Sequence, residues 1–237
     1  MKNIAVILAA GSGTRVGGSV PKQFLPLADG KTVLETCVDA FEQNERIDKI
    51  IIVTLPDYIA KVQESMLLCG WQKVADIILG GKERWESSWN AVQELTMHDA
   101  QCTMYDDINI LLHDCARPFV SQRILNDVCE ALEQHEAVTV AVPATDTMYS
   151  VDGSQCTMHD VRLVDIPDRS TMFRAQTPQA FRLSVIRQAY ERAIQDPSLQ
   201  ATDDCGIVHK YLPETPIYII KGEESNRKLT FQEDFLN

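Results

Sequence analysis

The sequence lacks long apolar runs and any covalent framework. No stretch approaches the roughly 18 uninterrupted apolar residues of a membrane span. The start, "MKNIAVILAAGSG", passes from a short apolar run straight into glycine, without the layout of a secretory signal. Seven cysteines, at 37, 69, 102, 115, 129, 156 and 205, are odd in number and form no C-x-x-C pair. That spacing argues against a disulfide framework or a zinc knuckle and leaves ordinary reduced thiols. The five histidines are equally dispersed. Basic residues are in deficit: 22 Lys and Arg stand against 34 Asp and Glu, a formal charge of -12. Such a surface repels nucleic acid and anionic membranes, so neither is expected as a partner, and a cytoplasmic location is expected. An anionic substrate must then be met by a local cluster of cations or by a metal ion.

What is present suits an enzyme-sized body. The 237 residues, 45% hydrophobic, suffice for a full core in one domain spanning 1–237. Strand-like runs lie at 4–8, 49–54, 75–80, 108–113, 137–143 and 217–222, and helix-like segments at 32–43, 57–69, 84–97, 121–135 and 183–195. This alternation predicts an α/β fold with a mostly parallel sheet covered by helices on both faces. Residues 144–168 break the rhythm. They are polar, with a turn signal at Asp152-Gly153, and predict a projecting β-hairpin arm. Insertions this long in α/β domains usually carry function or an interface.

Four polar clusters follow strand-like runs: "LAAGSGTRVGGSVPKQFLPL" (8–27), "GGKERWESS" (80–88), "HDCARPF" (113–119) and "GEESNRKLT" (222–230). In an open parallel sheet they converge on the carboxyl edge, where ligands bind. Each has a plain structural reading: Gly80-Gly81 a tight turn, Asp114 a helix cap, Arg117 its ion partner. Together, bare glycine backbone with Arg15, Lys22, Arg84, Arg117 and Lys228 suits several phosphates, and Asp114 suits a divalent cation. The inventory points to phosphoryl or nucleotidyl transfer. A Walker loop is disfavoured because Gly17-Gly18-Ser19 has no lysine in the required slot. The dinucleotide fingerprint is weak, since the second strand ends Val53-Thr54-Leu55 without an acid.

The first glycine loop resembles the A-A-G-x-G-x-R and P-K-Q signature of sugar-nucleotide transferases. Together with "HDCARPF", "RSTMFRAQTPQAF" (169–181), "TDD" (202–204) and "NRKLT" (226–230), the chain resembles the CDP-polyol-forming cytidylyltransferases from about Ile4 to Asp234. The resemblance implies a Rossmann-like fold and CMP transfer from CTP to a polyol phosphate, with Mg²⁺ as cofactor and a homodimer embraced by the arm. It assigns Ala9, Ala10, Gly11, Gly13, Gly81, Lys82, Ser87 and Arg117 to the nucleotide. Arg15, Lys22, Asp114 and Lys228 are assigned to catalysis, with Asp114 also the metal contact. Arg169, Thr202 and Lys228 would meet the polyol phosphate, Arg169 from across the dimer. Cys115, Lys82 and Arg227 depart from the family's usual residues. The leading acceptor is 2-C-methyl-D-erythritol 4-phosphate of isoprenoid biosynthesis, with ribitol 5-phosphate the alternative. A nucleotidyltransferase for another base or sugar phosphate, and a nucleotide-binding regulator without turnover, also stay open.

Overall fold

The computed structural model describes residues 1–11, 20–98, 107–152 and 161–235, with the backbone alone at His98 and Gln232. In chain order the elements are β1 (Lys2–Leu8), α1 (Val33–Glu42), β2 (Lys49–Thr54), α2 (Ile59–Cys69), β3 (Val74–Leu79), α3 (Arg84–His98), β4 (Ile108–Asp114) and α4 (Gln122–Ala131). They continue with β5 (Ala137–Pro143), β6 (Ser150–Val151), β7 (Leu163–Asp165), β8 (Phe173–Arg182), α5 (Leu183–Ala193), α6 (Asp204–Tyr211) and β9 (Tyr218–Lys221). Every expected strand and helix forms, with ends displaced by at most four residues.

Local chemistry explains several boundaries. Thr32 opens α1 with a reciprocal cap: its hydroxyl accepts from the Glu35 N–H at 3.1 Å, and the Glu35 carboxylate accepts from the Thr32 N–H at 2.8 Å. α2 stops at Gly70, whose φ of 69° places it in the left-handed region open to glycine. Ser121 caps α4 through the Ile124 N–H at 3.2 Å.

The main sheet runs β3-β2-β1-β4-β8-β5-β9 and is parallel except for β8, which lies antiparallel between β4 and β5. β8 and α6 were not among the expected elements. Pro178 argues against a central strand, because proline has no N–H for the ladder. The structure accommodates it where the β5–β8 register shifts between Thr139 and Ala141, beyond the last β4–β8 pair at Leu112 and Gln179.

The central strands bury both faces. On β1, Ala5 and Ile7 join one cluster with Val33, Phe41, Val62 and Ile124 from α1, α2 and α4. Ile4 and Val6 join the other, with Val92, Phe181, Ile186 and Val208 from α3, β8, α5 and α6. Such strands read as continuous apolar runs because both sides are covered. β6 and β7 form a separate antiparallel pair, the expected arm. Its connection is longer than the two-residue turn expected at Asp152-Gly153, because the Asp152 N–H donates to the Arg162 carbonyl at 3.0 Å. Gly153 itself lies outside the described residues.

Phe181 is fully buried at the centre of the second cluster. Phe181→Ala is expected to cost about 3–5 kcal/mol of unfolding free energy through lost burial and a residual cavity. Urea denaturation, with an unchanged slope and a lower midpoint, checks this.

Candidate active site

The chain passes from β1 to β2 and β3 on one side, then returns to β4 on the other. Strand order therefore reverses between β1 and β4, where Leu8 lies beside Asp114 in the ladder. A crevice beyond the carboxyl ends of strands at such a reversal is the preferred ligand position in an open α/β sheet. Here it is a cleft of about 910 Å³, lined by Ala9, Ala10, Gly11, Lys22, Gly81, Lys82, Ser87, Asp114, Thr202 and Lys228 among others.

The first wall is the segment after β1. The Ala9 N–H donates to the Val53 carbonyl at 2.8 Å, and the Gln23 amide donates to the carbonyls of Ala9 at 2.6 Å and Gly11 at 3.0 Å. Buried Gln23 thus turns those carbonyls inward, and with the Ala9 N–H committed to Val53, the N–H groups of Ala10 and Gly11 are the ones left to an anionic or polar ligand. Lys22 reaches across to the Leu229 carbonyl at 2.8 Å, joining this wall to the far one.

The second wall is the approach to α3. Ser87 Oγ accepts from the Gly81 N–H at 3.1 Å, while Glu86 Oε2 accepts from the N–H groups of Lys82 at 2.5 Å and Glu83 at 3.0 Å. The helix's own side chains take these amides, including that of Lys82, which was expected to face the nucleotide through its main chain. A Cβ on Gly80 would collide with the Ala10 Cβ and approach Ser87 Oγ to 2.9 Å, so only glycine lets the two walls come this close.

Asp114 forms the floor. Its Oδ1 accepts from Arg84 Nε at 2.9 Å and its Oδ2 from Lys228 Nζ at 2.7 Å. Burial alone would raise this carboxyl, but Arg84 and Lys228 outweigh it and hold the group below the usual carboxylate range. Arg84 also donates from Nη1 to buried Asp204 at 2.7 Å. Its own acidity falls further, because the two carboxylates outweigh the burial that would otherwise ease loss of its proton. Beneath the floor, the Asp114 N–H donates to Thr177 Oγ1 at 3.1 Å, which lies 3.1 Å from His113 Nδ1; His113 Nε2 lies 3.0 Å from the Arg117 carbonyl. One proton on Nε2 satisfies both contacts, as the imidazole donates to the carbonyl and accepts from the hydroxyl. Burial pushes His113 down to about 4, so it is neutral at pH 7.

The family model for 2-C-methyl-D-erythritol 4-phosphate cytidylyltransferase, IspD, matches residues 3–237. A Thermobifida fusca protein of that name is 42% identical over 230 residues, covering 97% of this chain and 89% of the relative. The chain belongs to the IspD family. A Haemophilus influenzae bifunctional ribulose 5-phosphate reductase/CDP-ribitol pyrophosphorylase is 36% identical over 97% of this chain but 46% of its own length. The crystal structure of 4-diphosphocytidyl-2C-methyl-D-erythritol synthase from Anaerococcus prevotii superposes with a TM-score of 0.80 at 26% identity, covering 99% of this chain and 93% of that one. IspD proteins are nucleotidyltransferases, in accord with the five sequence blocks.

Within this IspD cleft the expected residues are distributed unevenly. Ala9, Ala10, Gly11, Lys22, Gly81, Lys82, Ser87, Asp114, Thr202 and Lys228 all line it. Gly13 and Arg15 lie outside the described residues. Arg117 is absent from the described lining. Its guanidinium donates to the carbonyls of Asn226 at 2.8 Å and Ala175 at 3.2 Å, tying the end of β4 to β8 and to the segment carrying Lys228. Arg84, read as a phosphate cation, also lines the cleft, with its guanidinium shared between Asp114 and Asp204. Arg169 is exposed at the base of the arm, donating to the Thr145 carbonyl at 3.0 Å. Gln23 and Asp204 carry structural duties in the site that their sequence blocks did not reveal; both stood inside quoted motifs, P-K-Q and T-D-D.

For a divalent ion the protein offers little cage. Among the described residues no three His, Cys, Asp or Glu side chains converge. Asp114 is the carboxylate on the floor, and both its oxygens already carry a cation. Such a donor set fits Mg²⁺ held mainly by substrate phosphates with one protein carboxylate beside it.

Asp114→Asn removes a charge from between two partly exposed cations, one of which keeps Asp204, and is expected to cost about 1–3 kcal/mol of stability as well as activity. Thermal unfolding beside a turnover assay reads the two separately. A second expectation concerns pH. With His113 near 4 in the folded chain and about 6.5 when unfolded, the unfolded state binds more protons between these values. Stability therefore falls as pH drops through that window, by on the order of 3 kcal/mol, and Asp114 adds to the loss at lower pH. Urea midpoints from pH 7 to pH 4 should show the fall, and His113→Gln should flatten the portion above pH 4.

Proposed function

We propose that this chain transfers CMP from CTP to 2-C-methyl-D-erythritol 4-phosphate, releasing pyrophosphate, as a step of isoprenoid biosynthesis. The observation that carries the reading is the cleft at the β1–β4 reversal, lined by Lys22 and by Lys228 paired with Asp114, in a chain that matches the IspD family over 3–237. A phosphate oxygen of the polyol phosphate attacks the α-phosphorus of CTP in line, and pyrophosphate departs. A phosphate monoester has its second pKa near 6, so the nucleophile is already mostly a dianion and needs no general base. Protein groups therefore position the reactants and neutralise charge.

The N–H groups of Ala10 and Gly11 and the wall at Gly81 and Ser87 would receive the nucleotide, with Ala9 lining the cleft beside them. Lys22, with Arg15 from the same loop, would hold the triphosphate. Thr202 and Lys228 would hold the acceptor phosphate. Mg²⁺, when bound, would neutralise the triphosphate, with Asp114 as its neighbouring carboxylate. A cytoplasmic location accords with the free cysteines at 37, 69, 115, 129 and 205.

The arm supports a homodimer. Met148, Tyr149, Leu163, Val164 and Ile166 are all exposed on or beside its two short strands. A two-stranded ribbon alone is marginal in water, and a second copy of the chain would cover these side chains. Arg169 at the base of the arm would then serve the acceptor phosphate of the partner subunit.

Pyrophosphate release with CTP, ATP, GTP and UTP, each paired with 2-C-methyl-D-erythritol 4-phosphate or ribitol 5-phosphate, tests the reaction. CTP with the erythritol substrate should dominate; dominance of ribitol 5-phosphate would move the chain toward the activity named for the Haemophilus relative. Lys22→Ala should slow turnover by roughly 30- to 1,000-fold, the value of one charge-assisted phosphate contact. The dimer has its own test. Mixed Lys22→Ala and Arg169→Ala proteins should regain about half of wild-type activity per heterodimer, since one composite site is intact and the other lacks both residues. No rescue at any ratio, or a fully active monomer in sedimentation, would remove the arm's role.

A further inference from the structure

Behind the cleft floor runs a line of buried polar contacts that the proposed reaction does not itself require. Asp204, fully buried in the first turn of α6, accepts from the Tyr190 hydroxyl at 2.7 Å through Oδ1 and from Arg84 Nη1 at 2.7 Å through Oδ2. Its backbone N–H donates to Gln179 Oε1 on β8 at 2.9 Å, which fixes the start of α6 against the sheet. Tyr190 is itself fully buried on α5 and stacks on Trp89 of α3, with centroids 5.6 Å apart. Arg84 then donates from Nε to Asp114, whose second oxygen holds Lys228.

Burying two carboxylates with an arginine is not a route to stability that apolar packing could not match. The two carboxylates also balance Arg84 and Lys228, so the group adds no net positive charge for a triphosphate. Its particular property is geometric. A guanidinium is a rigid planar fork, and one held at Nε and at Nη1 by separate carboxylates cannot rotate. Asp114 Oδ1 is thereby fixed, and the position of Lys228 follows from Oδ2.

We infer that Asp204 is a positioning residue for the transfer reaction. Braced by Tyr190, it locks the Arg84 guanidinium, so that Asp114 and Lys228 stand in one arrangement before the reactants arrive. Preorganisation of this kind acts on kcat more than on ground-state binding. The inference rests on the proposed reaction for its rate readout, while the charge coupling can be read without substrate.

Kinetics of Asp204→Asn, which keeps the shape and removes the charge, test this against Arg84→Lys, which keeps a charge but loses the fork. Per folded molecule, Asp204→Asn should lower kcat about 10- to 100-fold with the KM for CTP within about 3-fold. In the Arg84→Lys background the same change should lower kcat by less than about 2-fold more, because the route through the guanidinium is already broken. An unchanged kcat per folded molecule, or losses that multiply in the double variant, would overturn the inference. If Asp204→Asn does not fold, Tyr190→Phe is read in the same way, with an expected kcat loss of about 3- to 10-fold; no loss overturns it. If the wild-type protein turns over CTP with neither acceptor, the functional reading falls by itself. The coupling is then judged on thermal midpoints of the same variants, where non-additive shifts support the brace and additive shifts remove it.

Discussion

The site depends on one carboxylate held between two cations. Asp114 ends β4 at the strand reversal, and its oxygens draw Arg84 from α3 and Lys228 from the segment after β9 onto the same floor. Without that charge, Lys228 would lose its carboxylate partner and Arg84 would be left with Asp204 alone. Three stretches of chain that are far apart in sequence become one surface because the carboxylate is there to bind them.

The fold makes this economical. β1 and β4 are neighbours with covered faces, so their ends emerge side by side and their loops turn the same way. Gln23 withdraws the carbonyls of the first loop, Ser87 and Glu86 close the helix approach, and Arg117 ties down the segment that carries Lys228. Much of the polar chemistry around the cleft therefore serves to hold backbone still rather than to touch a ligand. That matches a reaction whose nucleophile arrives already charged and asks of the protein placement more than proton transfer.

Some residues yield their position to sequence reasoning more readily than others. Strands with branched apolar runs and helices with caps were legible, since each is decided within a few residues: Thr32 with Glu35, or Gly70 after α2. β8 was not, because its proline argues against a central strand and only the bulge beside β5 makes room for it. Motif blocks located the cleft and nearly all of its described lining. They did not separate the residues that face it from those that brace it: Arg117 and Asp204 lie outside the described lining, and Arg84 lines the cleft while also bridging two acids.

By itself the sequence determined the layered α/β architecture, the arm, the family, and the cleft at the carboxyl ends of the strands. Each rests on local pattern or on motifs in a fixed order. Only the tertiary structure decided which cation pairs with which acid. Arg84 and Asp204 are 120 residues apart, and Lys228 and Asp114 are 114 apart. Their partnership follows from the insertion of β8 between β4 and β5 and the docking of α6 against it. A charged side chain carries no local mark of its partner, because Coulombic attraction acts through space and the spacing is set by the sheet.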